Sequence, residues 1–120
     1  MRRGTSLLLA LTCAAGTACG DPFELCDTAI LPGLQVTVVD SLTEENLAPE
    51  ATVVARDGEF AGTLAPAGES YLGAEERPGT YTISAAHPDY EEWTREGVRV
   101  EATSCGVRTR RVTAPLVPGD

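Results

Sequence analysis

The sequence predicts an all-β fold, a two-layer sandwich of roughly seven short strands, from three observations. Apolar and polar residues alternate in several short runs, the period-two pattern of a half-buried strand. Clusters of glycine, proline and aspartate punctuate those runs at short intervals. Beyond residue 19, no stretch sustains the 3.6-residue apolar period of an amphipathic helix.

The pattern is clearest over Arg77–Tyr90. Pro78-Gly79 is a turn signal, because proline presets φ and glycine accepts a positive one. After it Tyr81, Ile83 and Ala85 share one face, and Thr80, Thr82 and Ser84 the other. This strand is expected at the centre of the sandwich. Upstream, Leu34, Val36 and Val38 alternate within a first strand that ends at Asp40, and a polar connection leads to a second strand, Ala51–Arg56. Asp57-Gly58 is a strong hairpin signal, and Phe60–Leu64 returns as a weaker strand. Ser70–Ala74 is a short strand after Pro66-Ala67-Gly68. Val98–Ala102 alternates cleanly. The last strand, Val107–Leu116, slips in parity between Thr109 and Val112, which predicts a bulge near Arg110-Arg111.

The first 18 residues read as an export signal. Arg2 and Arg3 form a charged start, Leu7–Leu11 opens an apolar core, and small residues follow. The apolar run falls short of the roughly 20 residues that span a bilayer. Gly16-Thr17-Ala18-Cys19 resembles a bacterial lipobox, with Gly16 where leucine is usual. That resemblance implies a lipid on Cys19, and ordinary signal-peptidase cleavage nearby is the alternative. The expected organisation is a leader over 1–18, a lipidated tether and lead-in over 19–32, and a sandwich over 33–117.

Cysteine counting fits this organisation. Of Cys13, Cys19, Cys26 and Cys105, the first leaves with the leader and the second carries lipid. Cys26 and Cys105 then remain as one pair in a compartment where disulfides persist. On the chain-entropy model a loop of about 80 residues is worth roughly 4–5 kcal/mol. Two separate thiols are the alternative. Two cysteines and one histidine make a thin set for zinc.

After the leader, seven arginines face 18 acidic residues. Such a chain lacks the basic footprint of nucleic-acid binding and is repelled by polyanions. A domain of this size buries one modest core, so a covalent staple helps.

Val36–Asp40, Ala51–Ala55 with Asp57-Gly58, Pro78–Ala85 with Pro88 and Tyr90, and Gly97–Val100 together resemble the carboxypeptidase regulatory-like family over residues 34–114. The resemblance implies a seven-stranded, Greek-key sandwich of prealbumin-like type, related in shape to transthyretin and comparable to immunoglobulin-like domains. It implies an accessory role beside a peptidase, in a receptor or alone on a small lipoprotein. No catalytic residue and no cofactor carries over with it.

The remaining candidates are few. His87, in His87-Pro88-Asp89-Tyr90, would be a general base oriented by Asp89, but no nucleophile motif accompanies it. Transthyretin-like hydrolases carry several histidines and end Tyr-Arg-Gly-Ser, whereas this chain ends Leu-Val-Pro-Gly-Asp. Asp89, Glu91, Glu92 and Glu96 offer oxygen ligands without a calcium-loop pattern, so no metal site is assigned. Trp93 and Tyr90 are candidate ligand contacts, because their rings pair apolar area with a polar handle; a role closing the end of the sandwich is the alternative. Arg108, Arg110 and Arg111 are expected to neutralise glutamates near Glu101. An exposed edge strand could also accept a partner strand.

The expectation is therefore a non-catalytic interaction or structural module. It is anchored by lipid in a bacterial cell envelope, on the periplasmic side or at the outer membrane. Gly20 after Cys19, rather than aspartate, resembles the sorting pattern that permits outer-membrane transfer. Its partners would be the membrane and an envelope protein or glycan, with no nucleic acid. Binding of carbohydrate or another small ligand is the first alternative and a small hydrolase the second.

Overall fold

A computed structural model describes residues 30–119. Nine strands form two sheets: β1 (Leu34–Asp40), β2 (Thr52–Asp57), β3 (Phe60–Thr63), β4 (Ala65–Ala67), β5 (Ser70–Gly73), β6 (Gly79–Ala86), β7 (Trp93–Thr103), β8 (Gly106–Arg108) and β9 (Arg110–Leu116). One sheet has the order β4-β5-β1-β9 and the other β3-β2-β6-β7-β8. The Pro-Gly-Thr-Tyr strand, β6, is the middle strand of the larger sheet, as its alternation predicts.

The count is nine where the sequence suggests seven, because Val107–Leu116, read as one strand, changes sheets, and because Ala65–Ala67, which includes Pro66-Ala67 of the expected break, pairs as a strand of its own. Leu64 separates β3 in one sheet from β4 in the other. Thr109 likewise separates β8 from β9. Val107 and Val112 are both buried although their spacing is odd, because each points inward from a different sheet. The parity slip near Arg110-Arg111 is thus a crossing between layers. The bulge lies elsewhere, between β6 and β7, where Tyr81 faces Val98 but Ile83 faces Arg95. Gly97 absorbs the extra residue with φ +72, a conformation that costs a side chain-bearing residue roughly 1–2 kcal/mol.

The core is the inward set of both sheets. Val36, Val38, Val53, Ala55, Tyr81, Ile83, Ala85, Val98, Ala114 and Leu116 are fully buried. Their outward neighbours are hydroxyls and charges, such as Thr80, Thr82, Ser84, Arg99 and Glu101. β1 and β9 pair in parallel, Leu34 opposite Arg110 and Asp40 opposite Leu116, so both strands run from one end of the sandwich to the other. We call the end where the chain enters the foot. It carries Gly33, the β5–β6 connection, and the β7–β8 turn. The head carries the β1–β2 connection, the β4–β5 turn, residues 87–92 and residues 117–119.

Candidate functional site

The head gathers both candidate contact residues. Tyr90, after β6, donates its hydroxyl to Asp40 Oδ2 at 2.7 Å. Asp40 closes β1 and is buried, 8 % exposed. Its other carboxylate oxygen accepts the backbone N–H groups of Leu42 at 2.7 Å and Thr43 at 2.9 Å. A carboxylate fed by three donors is stabilised in its charged form, so Asp40 titrates below the ordinary range, chiefly through the Tyr90 hydroxyl. Conversely, the Tyr90 hydroxyl is pushed up to about 12, because ionisation would forfeit that bond and set a phenolate against Asp40. Tyr90 also pairs in an isolated bridge with Pro118. Trp93 opens β7 opposite Ala85, half-buried against the core. The two candidates therefore share one end of the molecule, with the Tyr90 hydroxyl bonded within the fold.

His87 is half-buried in the same end. Its Nδ1 accepts the backbone N–H of Asp89 at 3.2 Å, and its ring meets Tyr90 edge-on at 4.9 Å. The orienting group is thus the Asp89 main chain, where the sequence points to its carboxylate. The other two tyrosine hydroxyls also fasten loops. Tyr71 OH accepts the Ala51 N–H at 3.0 Å. Tyr81 OH donates to the Arg77 carbonyl at 2.7 Å. Among the described residues, no group of three or more His, Cys, Asp or Glu side chains is arranged to hold a metal.

The foot is built differently. Arg77 Nη1 donates to Asp57 Oδ2 and to Tyr81 OH, each at 3.1 Å, and its guanidinium stacks 4.0 Å above the Phe60 ring. The Tyr81 hydroxyl and then Asp57 raise the Arg77 pKa further. Phe60 is half-buried beneath that guanidinium and packs against the core. Glu76 accepts the Leu31 N–H at 3.0 Å and returns its own N–H to the Leu31 carbonyl. The same carboxylate lies against Gly106, whose φ of +132 is a conformation that favours glycine.

Beside this junction Arg99, Glu101, Arg108, Thr109 and Arg110 line a notch of about 310 Å³. Arg108 pairs with Glu101 at 3.0 Å, the neutralisation expected of the arginine cluster, shown here for one of its three members. Arg110 Nη1 donates to the Arg99 carbonyl at 3.3 Å. The Thr109 hydroxyl donates to the Pro32 carbonyl at 2.7 Å. Sequence reasoning missed this notch as a unit, since Arg99 and Arg110 meet only because β7 and β9 face each other across two sheets.

Cys105 lies half-buried in the β7–β8 turn, its N–H bonded to Thr103 Oγ1 at 3.2 Å. Cys19 and Cys26 lie outside the described residues, as do the leader and most of the tether. Among the described residues no helix is long and apolar enough to cross a membrane. No family model matches the sequence, and no curated protein matches it significantly.

Proposed function

We propose that the chain is a non-catalytic β-sandwich of the carboxypeptidase regulatory-like kind, anchored by lipid on Cys19 and serving as an interaction or structural module in a bacterial envelope. The observation that carries this reading is how the polar aromatic handles are used. Each tyrosine hydroxyl bonds a loop of its own domain, and His87 Nδ1 does the same. Groups with chemical potential are spent on rigidity, which is what a spacer or docking platform needs.

The Cys26–Cys105 bond belongs to the same reading. Glu76 bonds Leu31 and crowds Gly106, which brings the lead-in beside the turn that carries Cys105. Cys26 precedes Leu31 by five positions, a reach of at most about 18 Å. The staple would fasten the lead-in to the foot and leave a short leash between lipid and domain.

Intact mass of the protein extracted from membranes tests this reading. The expected species begins at Cys19, carries diacylglyceryl and acyl groups, and gains two mass units on reduction, about 2 Da for one disulfide. A soluble, unmodified species, or two free thiols before reduction, would overturn it.

A further inference from the structure

The arginine notch sits where the chain enters the sandwich, because Thr109 on its wall holds the Pro32 carbonyl. Cys19 precedes Ile30 by eleven positions, and that segment spans at most about 40 Å when fully extended. An anchor on Cys19 therefore keeps the chain's entry to the sandwich, where the notch lies, within about 40 Å of a bilayer. Three arginines, Arg99, Arg108 and Arg110, line the notch, and Glu101 is the one carboxylate among its lining residues. The Arg108–Glu101 pair is 72 % and 54 % exposed, so water already competes for it and a phosphate can too. Arg110 spends one N–H on a long 3.3 Å bond to Arg99, and a guanidinium carries five.

The rest of the molecule has the opposite sign. The chain has a net charge of −9. At the head, Glu44, Glu45, Glu50, Glu69, Glu91 and Glu92 are all exposed. The foot also carries exposed Glu59, Glu75 and Glu76, so an anionic surface is attracted only where Arg99, Arg108 and Arg110 face it.

We infer that the notch formed by Arg99, Arg108 and Arg110 seats on the phosphates of anionic lipid headgroups, and so holds the anchored domain upright with its head away from the bilayer. This takes the Cys19 anchor proposed above as its premise. On a negatively charged leaflet each arginine favours the seated orientation by roughly fivefold. The effect is screened by salt over about a nanometre.

The test supplies the anchor chemically. The mature chain, residues 19–120, is coupled through the Cys19 thiol to a maleimide lipid, and single coupling is confirmed by intact mass. Seating is then measured whether or not a cell lipidates Cys19, so each idea fails separately. Trp93 is the single tryptophan. It pairs with Ala85, six positions along β6 from Gly79 at the foot, or about 20 Å. Energy transfer from Trp93 to dansyl-labelled lipid therefore reports tilt. We expect weaker transfer on phosphatidylglycerol vesicles than on phosphatidylcholine vesicles. High salt, or Arg99→Gln with Arg110→Gln, should raise the former to the latter. Arg95→Gln makes a charge change outside the notch and should leave transfer at the wild-type level. Equal transfer of the wild type on the two vesicles would overturn the inference without recourse to any variant. So would a double variant that behaves like Arg95→Gln.

Discussion

The two ends of this sandwich solve the same problem, fastening loops to strand ends, with different chemistry. At the head the fasteners are short hydrogen bonds around the buried Asp40 and the buried Tyr71 hydroxyl. The foot has short hydrogen bonds too, Tyr81 OH to the Arg77 carbonyl and the Thr109 hydroxyl to the Pro32 carbonyl, each at 2.7 Å, but it adds guanidiniums paired at 3.1 Å with Asp57 and at 3.0 Å with Glu101, with a third to more than two thirds of each side chain in water. Buried polar groups are costly to orphan, whereas exposed ion pairs contribute little. The buried Asp40 and Tyr71 bonds of the head are therefore costly to break, whereas the foot's ion pairs leave charge available to something outside the molecule.

The largest expected effect lies at the head. Leu47, 7 % exposed in the β1–β2 connection, fills core beneath it, and Leu47→Ala should cost about 2–4 kcal/mol in denaturant unfolding. Next is Tyr71→Phe, which leaves the buried Ala51 N–H without its acceptor and should cost about 1–3 kcal/mol. If either were as mild as an arginine substitution at the foot, the contrast between the ends would fail.

A pH profile sharpens the comparison. Asp40 is lowered in the folded state, so its contribution is complete above its ordinary value of 3.8 and is lost as pH falls below it. Tyr90 is raised to about 12, so its contribution is complete below pH 10 and fades as pH climbs toward 12. Tyr90→Phe should lower stability across the range between and flatten the alkaline limb. Ultraviolet titration of the folded protein should show one phenol ionising near 12 that this variant lacks.

At the foot, Arg108→Gln should change unfolding stability by no more than about 0.5 kcal/mol, and less at high salt. A larger loss would mean that the notch is structural. The smallest effect expected is a gain. Glu44 is exposed with φ 65, and Glu44→Gly should stabilise by a few tenths to about 1 kcal/mol, since glycine accepts that backbone without strain.

Much of the fold was legible because period two is a local property. Tyr81, Ile83 and Ala85 alternate whatever they pack against, and all three are fully buried. The crossing at Thr109 was visible only as a fault in parity, since a sequence records that a face has flipped but not that a strand has changed sheets. The candidate site was legible in part. Tyr90 and Trp93, three residues apart, were bound to be neighbours. Asp40 lies fifty positions from Tyr90, and no local pattern marks it as the partner that takes the hydroxyl.

By itself the sequence determined the all-β class, most of the strands and most of their inward residues, together with the strong excess of acid. Those follow from composition and from spacing along one chain. Only the tertiary structure decided which ends meet. It put Arg99 beside Arg110 and Pro32 beside Thr109, because two sheets stacked face to face bring together groups whose separation along the chain carries no information about their separation in space.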